Sequence, residues 1–468
     1  MAKKKGLKKL KEKLCYESPH VWDKLDPDEK RAVETLAKDY REFISKAKTE
    51  RECAEEICAL LEKRGFHPES STRFYRVFRQ KVVVAVVAGR KPVTHGLRLV
   101  ASHIDSPRLD LKLHPLFEEY EMAYLKTHYY GGIKKYHWVA MPLALHGVVV
   151  KGDGEVVKIV IGEDPEDPVL TICDLLPHLA RKVQGEKKLR EAIPGEKLNV
   201  LAGGFPLPDS EEKERVKLAV LKLLHDRYGL VEEDFISAEI EIVPAGPARE
   251  VGLDRAFIGG YGQDDRICAF TSLAAILNLE APAYTSVVLF LDKEEIGSDG
   301  NTGAKSRTLE KIYFEILKTL GLSPSADTVL ELFFRTKAIS ADVTAGIDPF
   351  YQEVHEKLND AKMGHGVVVT KYTGHGGKYA ANDAHAEYVG WLRRVLNRAG
   401  VVWQAASFGK VDEGGGGTVA KYLAYHGMDI IDVGPPLLSM HSPFEICHKA
   451  DLYMTYRAYK AFFEATEE

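Results

Sequence analysis

The sequence predicts an α/β fold, with a mixed, mostly parallel sheet flanked by helices and a β-rich insertion. Apolar strand-like runs alternate with long helices before residue 108 and again after residue 252. Between them, the chain changes to short β-type runs such as HWVAMPLALHGVVVKGDGEVVKIVIG, which contains a Gly-Asp-Gly turn. A length of 468 residues also favours two domains. We therefore expect one domain built from residues 1–107 and 252–468, interrupted by an inserted domain of residues 108–251.

Two helices are predicted to precede the first sheet strands. Asp26 is a suitable N-cap, with Pro27 at the first helical position, and apolar residues then recur at helical spacing. A second helix opens at Thr49, where Glu52 three residues later completes the pattern of a capping box. This helix is expected to end near Gly65, since glycine is common after a helix C-terminus.

The remaining elements follow a strand and helix rhythm. VVVAVVAG and GLRLVASHIDSP are predicted strands. After residue 252 the expected order is a helix at DRICAFTSLAAILNL, a strand at TSVVLFL, a helix at 308–320, a strand at AISADV, a helix from Asp383 to about Arg398, strands at VVWQAAS and MDIIDVG, and a last helix from about Pro443.

Composition and charge restrict the partners. The net charge of −5 gives no general attraction to nucleic acid or to an anionic membrane, so neither is expected as a partner. The basic start MAKKKGLKKLKEKL is not followed by an apolar stretch typical of a signal peptide or a membrane anchor. The six cysteines include no Cys-x-x-Cys pair, which favours reduced thiols and a cytoplasmic location.

Polar residues that end apolar strands are the candidates for a functional site. In an open α/β sheet, ligands bind outside the carboxyl ends of the strands. The residues at such positions, or at a nearby helix start, are His103, Asp105, Asp264, Glu294, Glu295, Asp342 and His441. Two imidazoles with several carboxylates suit a pair of divalent cations such as zinc, manganese or cobalt.

The adjacent glutamates in VVLFLDKEEIGSDG suggest two different roles. Glu295 would bind metal, while Glu294 would serve as a general base for water that the metal acidifies to a pKa of roughly 7. Taken singly, each candidate has a simpler explanation: a solvated turn for the glutamates, an interior hydrogen bond for His103, and helix capping for Asp264. Their joint placement at strand ends favours a shared site.

Five segments carry a family resemblance: ASHIDSP, GQDDRICAF, LDKEEIGSDG, ISADV and MHSPFE. In this order they resemble the metal-site segments of the aspartyl aminopeptidase and vacuolar aminopeptidase I family of dinuclear zinc exopeptidases. FISKAKTERE, YYGGIKKYHW, LLPHLA and DEGGGGTVA are also similar to the family. The resemblance covers most of the chain and implies a zinc-exopeptidase-like fold, in which the insertion is a dimerisation domain.

The resemblance also implies roles for individual residues. One zinc would be held by His103, Asp264 and Asp342, and a second by Asp264, Glu295 and His441, with cobalt or manganese as alternatives. Glu294 would be the general base, and Asp105 would orient His103 or steady the base. His178, in LLPHLA, would reach into the site of a neighbouring subunit and stabilise the reaction oxyanion.

The expected substrates are peptides with a free N-terminus. Lys371 falls where acidic-selective relatives place a lysine, but the length and glycine content of KYTGHGGKYA depart from their pattern. Gly415 and Gly416, in DEGGGGT, would let backbone groups approach the substrate closely. The preferred first residue, whether acidic, basic or apolar, stays open.

Two other functions are compatible with these residues. A related dinuclear metal hydrolase, such as a deacylase or a carboxypeptidase, would share the site but act on other substrates. The resemblance implies a large homo-oligomer, built from dimers and as large as a dodecamer. A non-catalytic shell or cargo protein would keep the fold and assemble in this way without turning over a substrate. The intact set of candidate ligands favours an aminopeptidase.

Overall fold

The computed structural model describes residues 9–11, 13–16, 18–208 and 212–466. Residues 1–8 of the basic N-terminal stretch lie outside this part of the chain. The α-helices of the described residues are α1 Pro27–Lys46, α2 Glu50–Lys63, α3 Pro177–Ala180, α4 Leu189–Ala192, α5 Arg215–Tyr228, α6 Gln263–Leu277, α7 Thr308–Thr319, α8 Ala326–Phe334, α9 Ala386–Arg398, α10 Ala420–Tyr425 and α11 Lys449–Glu464. Within the described ranges, no helix has both the length and the apolar character needed to cross a membrane.

Twenty strands are assigned in the described residues. They are β1 Arg73–Phe78, β2 Val82–Val87, β3 Leu97–His103, β4 Arg108–Glu119, β5 Met122–Tyr130, β6 Leu143–Val150, β7 Val156–Ile161, β8 Thr171–Ile172, β9 Asn199–Gly203, β10 Ala238–Pro244, β11 Arg249–Val251, β12 Phe257–Gly260, β13 Thr285–Leu291, β14 Lys337–Ser340, β15 Thr344–Ala345, β16 Val367–Thr370, β17 Trp403–Ala405, β18 Asp429–Gly434, β19 Pro436–Leu438 and β20 Glu445–His448.

An eight-stranded mixed sheet organises the part of the chain that holds the site. Its order is β1-β2-β13-β3-β14-β18-β16-β17. The central neighbours β13, β3, β14 and β18 run parallel. β2, β3 and β13 are buried along their whole length because helices cover both faces, which explains their uninterrupted apolar sequences. The predicted α/β class, with a mostly parallel sheet at its centre, is confirmed.

A second sheet is built entirely from residues 108–244. Its seven strands are ordered β7-β6-β10-β4-β5-β9-β8, and every neighbouring pair is antiparallel. It has its own apolar core, which includes Trp138, Ile242 and Leu145. A third, five-stranded sheet has the order β11-β12-β20-β19-β15 and was not predicted.

The N-terminal helices begin as their sequences predict, with one difference. Asp26 caps α1 and forms a capping box with Glu29. Thr49 caps α2 by accepting a hydrogen bond from the backbone N–H of Glu52. The carboxylate of Glu52, however, binds Nδ1 of His146 at 3.0 Å instead of completing the predicted capping box. The side chain of Glu52 therefore contacts a buried imidazole and not the backbone N–H of Thr49.

Two predicted helix starts were wrong. The last helix begins at Lys449 and not near Pro443, because residues 445–448 form β20 and pair with β12. The helix predicted from Asp383 begins at Ala386. In the first case, tertiary pairing decides the conformation of residues whose local sequence also suits a helix.

Lys48 joins the two helices to the region of the second sheet. It lies in the turn between α1 and α2 and is 3% exposed. Its Nζ donates to the backbone oxygens of Pro244 at 2.6 Å and Gly246 at 2.7 Å, and to Glu163 at 2.9 Å. One buried ammonium therefore satisfies three acceptors beyond residue 108.

Replacing Lys48 with Met should destabilise the fold. The substitution removes the Nζ donor from the backbone oxygens of Pro244 and Gly246, while Glu163 keeps the imidazole of His146 at 3.1 Å, so we expect a loss of about 2 kcal/mol in the free energy of unfolding. Urea unfolding followed by tryptophan fluorescence measures it. Lys38→Met is the control, because Lys38 is exposed and pairs only with exposed Glu42, and it should change stability by less than about 0.5 kcal/mol. Equal stability of the two variants would contradict this role for Lys48.

Candidate metal centre

A cavity of about 400 Å³ opens at the carboxyl ends of the central strands. Its lining includes six of the seven strand-end and helix-start candidates: His103, Asp264, Glu294, Glu295, Asp342 and His441. The parallel direction of β3, β13 and β14 brings the residues that follow them to this one edge. Residues more than 300 positions apart in the sequence therefore face the same space.

His103, the last residue of β3, is held by Asp105. Its Nδ1 lies 3.1 Å from the backbone oxygen of Asp105 and 3.3 Å from the carboxylate Oδ1. Both residues are buried. With Nδ1 donating to Asp105, the other nitrogen, Nε2, is the one left for a metal ion, and it faces Asp264 at 3.3 Å.

The two glutamates follow β13 through a turn that aims both at the cavity. Lys293 takes a left-handed conformation with φ of 68°, which reverses the chain direction immediately before them. The backbone N–H groups of Glu294 and Glu295 then donate to the two carboxylate oxygens of Asp105, at 3.1 and 3.2 Å. Asp105 therefore fixes this turn as well as the imidazole.

Asp264 connects two clusters of potential metal ligands. One consists of His103, Asp264 and Asp342, and the other of Asp264, Glu295 and His441. In each cluster the donor atoms lie within 4.8 Å of one another. Nε2 of His441 is 3.1 Å from Asp264 and 3.4 Å from Glu295. Glu294 stands beside both clusters, with its carboxylate 4.0 Å from Nε2 of His103.

The donor set fits zinc. Each cluster offers one imidazole nitrogen and two carboxylates, a combination typical of zinc with an open position for water or substrate. Two oxygens aimed into the clusters, Oδ1 of Asp264 and Oε1 of Glu295, are buried without a hydrogen bond. Buried carboxylate oxygens without a partner are costly, and divalent cations would stabilise them.

Several acidic side chains lie close together in the cavity, and this changes their pKa values. Burial raises the pKa of Glu294 to about 7, and the nearby carboxylates Asp105 and Asp264 add to the rise. Burial also raises the pKa values of Glu295 and Asp342, again with repulsion from Asp264. For His441, burial opposes protonation, but Asp264 and Glu295 outweigh it and raise the pKa to about 10. The cavity therefore favours positive charge.

Glu445 supports the centre and was not singled out from the sequence. Its carboxylate accepts hydrogen bonds from the backbone N–H of His441 at 2.7 Å and of Asp264 at 3.1 Å. It is 1% exposed. One side chain therefore fixes the backbones of two candidate ligands that are far apart in sequence. The available signal was its place at the end of MHSPFE, four residues after His441.

Asp432 is a second cavity residue that the sequence analysis missed. It lies on β18 and lines the cavity, yet neither of its buried carboxylate oxygens forms a hydrogen bond. Burial raises its pKa to about 6. Its position within the apolar run MDIIDVG was a usable signal, since a carboxylate inside a buried strand is uncommon.

Of the four residues predicted to act on the substrate, two line the cavity and two do not. Gly415 and Gly416 line the cavity. Lys371 and His178 are not among the described residues that line it. Lys371 is half exposed and forms an ion pair with Asp383, which would have to break before Lys371 could bind a substrate carboxylate. His178 lies on α3 and is exposed.

Comparison with known proteins identifies the family. Residues 43–463 match the model of the family described as aminopeptidase I zinc metalloprotease (M18). A probable M18 family aminopeptidase 1 of Thermotoga maritima is 52% identical over 460 residues, which cover 96% of this chain and 100% of the relative. The crystal structure of an M18 aminopeptidase from Thermotoga maritima is 51% identical and superposes with a TM-score of 0.92, covering 96% of this chain and 99% of the other.

A distant structure shares the fold. The Saccharomyces cerevisiae mApe1 dodecamer is 20% identical and superposes with a TM-score of 0.73 over 92% of this chain and 96% of the other. The family match covers most of the sequence, and the close relatives are full-length aminopeptidases. The chain therefore belongs to the M18 family of aminopeptidase I zinc metalloproteases and is a metal-dependent aminopeptidase.

Proposed function

We propose that this aminopeptidase works with two zinc ions at the two clusters that share Asp264. His103, Asp264 and Asp342 would hold one ion, and Asp264, Glu295 and His441 the other. The observation that carries this proposal is the shared carboxylate with potential donor atoms grouped on both sides of it. When bound, such ions acidify water and polarise a carbonyl oxygen. Cobalt or manganese would satisfy the same nitrogen and oxygen donors.

Glu294 is the proposed general base. It belongs to neither ligand cluster, yet it lines the same cavity, and its side chain is 15% exposed. A carboxylate that is not committed to a cation is free to accept a proton from the attacking water and to return it to the leaving amine. Asp105 supports this role by holding the Glu294 backbone and His103 in fixed positions.

Replacing Glu294 with Gln should separate catalysis from metal binding. The amide has nearly the same size but cannot accept the proton, so kcat should fall by roughly 10²- to 10⁴-fold, while the zinc content stays that of the wild type. Steady-state kinetics on an aminoacyl chromogenic substrate and elemental analysis measure the two effects. Glu331→Gln, at an exposed residue, is the control. Near-normal turnover of Glu294→Gln would exclude Glu294 as the base.

Metal counts should distinguish the two ligand clusters. The wild type should hold about two zinc ions per chain. Asp342→Asn and Glu295→Gln should each lose one, because each residue belongs to one cluster, while Asp264→Asn should lose both. Elemental analysis after dialysis against zinc-free buffer gives the counts, with circular dichroism to verify folding. A wild type that holds a single ion, or an Asp264→Asn variant that keeps two, would contradict the shared site.

The substrates are peptides with a free N-terminus. The cavity is lined both by the candidate metal ligands and by a glycine-rich wall that includes Gly415 and Gly416. At Gly416 a side chain would meet no atom within 4 Å, which leaves its backbone open to a bound peptide. We propose that this wall lies along the first residues of the substrate.

Self-assembly is also part of the proposal. The mApe1 of Saccharomyces cerevisiae forms a dodecamer, and we propose that this chain forms a dimer-based homo-oligomer through residues 108–251. That region exposes Leu176, Leu179 and Phe205, apolar side chains that a partner would cover. His178, between the first two, would then enter the neighbouring site as an oxyanion donor. A cytoplasmic location agrees with six unpaired cysteines.

Mixed oligomers test the role of His178. His178→Ala and Glu294→Gln chains should each be nearly inactive alone. Refolded together, they should regain about a quarter of the wild-type activity, since random pairing in symmetric dimers gives one intact site in half of the dimers. Activity assays before and after mixing measure this. A fully active His178→Ala enzyme, or a mixture without gain, would exclude donation between subunits.

A further inference from the structure

We propose that the segment Tyr130–Gly132 of the second-sheet region positions the metal-binding side chains, with Tyr130 acting through Asp105 and Gly132 acting through His441. This inference rests on the proposed dinuclear site. It gives residues 108–251 a part in the chemistry within their own chain, in addition to assembly. The two contacts involve different atoms, the hydroxyl of Tyr130 and the backbone oxygen of Gly132.

Tyr130 completes the hydrogen bonding of Asp105. Its hydroxyl donates to Oδ2 of Asp105 at 2.8 Å. The same carboxylate accepts the backbone N–H groups of Glu294 and Glu295 and faces His103. Asp105 is fully buried, so each of these donors replaces water that cannot reach it. The hydroxyl therefore helps to fix a carboxylate that orients both a ligand and the proposed base.

The ring of Tyr130 is itself held in place. The guanidinium of Arg108 lies 3.9 Å from the ring centroid. Arg108 is buried and contacts Asp110 at 2.8 Å, Glu241 at 3.1 Å and Glu50 at 3.5 Å. A cation fixed by three carboxylates stacks on the ring and limits its movement. The position of the hydroxyl beside Asp105 is therefore fixed by the packing of the ring on Arg108.

Gly132 determines which nitrogen of His441 is free. The backbone oxygen of Gly132 lies 3.0 Å from Nδ1 of His441. Nδ1 must carry the hydrogen to donate to this oxygen, so Nε2, which faces Asp264 and Glu295, is the nitrogen left for a metal ion. The carbonyl thus gives His441 the tautomer that a metal ligand requires.

The absence of side chains at the two glycines allows this approach. A Cβ at Gly132 would lie 3.2 Å from Nδ1 of His441, and one at Gly131 would lie 3.3 Å from the Cβ atoms of Glu295 and Pro107. Gly131 also has φ of 71°, which favours glycine. The segment can therefore lie directly against two candidate ligands.

Tyr130→Phe tests the hydroxyl. The ring keeps its packing on Arg108, but Asp105 loses one donor, so kcat should fall roughly 10- to 100-fold with KM unchanged. Tyr129→Phe is the matched control, because Tyr129 precedes Tyr130 on β5 and is 46% exposed. Zinc affinity of both holoenzymes is measured by competition with a chromophoric chelator, and only Tyr130→Phe should bind zinc more weakly than the wild type.

Gly132→Ala tests the contact with His441 separately. The added Cβ would push the imidazole by a few tenths of an ångström, and zinc affinity should fall about 10-fold. Gly204→Ala is the control, since a Cβ there meets no atom within 4 Å. The visible spectrum of the cobalt-substituted enzymes should change for Gly132→Ala alone, because the spectrum reports the ligand geometry.

The outcomes separate this inference from the function on which it rests. If the wild type binds no zinc or Glu294→Gln stays active, the proposed site itself fails. If those tests succeed while Tyr130→Phe and Gly132→Ala match their controls in kcat, zinc affinity and cobalt spectrum, the positioning role is overturned. A change confined to KM would overturn it as well.

Discussion

The structure of this site depends on one carboxylate, Asp264, lying between two imidazoles. Its two oxygens face His103 and His441 at 3.3 and 3.1 Å. Four further acids, including Glu294 and Glu295, crowd the same buried space. Because like charges repel strongly where water is excluded, these acids stay ionised together only if cations balance them. The fold must therefore hold the acids at fixed positions and leave an opening through which cations enter.

The central sheet meets the first requirement by topology. Strands β13, β3 and β14 are adjacent and parallel, so the residues after each strand emerge side by side. Strand spacing alone would not fix the side chains. Asp105 and Glu445 do so by accepting backbone N–H groups of other site residues. Ligand geometry is thus set by buried carboxylates that do not themselves belong to the ligand clusters.

The sequence predicted what local patterns can encode. Apolar runs that end in His, Asp or Glu located the residues that the structure brings together. Repeated helical spacing located α1, and a capping pattern located the start of α2. Glu445 and Tyr130 were missed because their roles exist only through contacts with residues 181 and 25 positions away. The start of α11 was misplaced for a related reason: residues 445–448 join a strand that is far away in sequence. A local sequence pattern does not show which distant strand a segment will pair with.

The place of the second-sheet region in the chain explains why its residues contact the candidate metal centre. β4 begins at Arg108, five residues after His103, and β5 ends at Tyr130, which is paired with Arg108 in the antiparallel register. Both ends of the β4–β5 hairpin therefore lie beside the site. Buried contacts of Arg108 with Glu50 and Glu241 join α2 to β10 across the same junction. A displacement of the second sheet relative to the central one would strain this ion cluster and move Tyr130 and Gly132 together. Since a buried, hydrogen-bonded cluster resists such displacement, the junction is rigid where the proposed metal centre needs fixed distances.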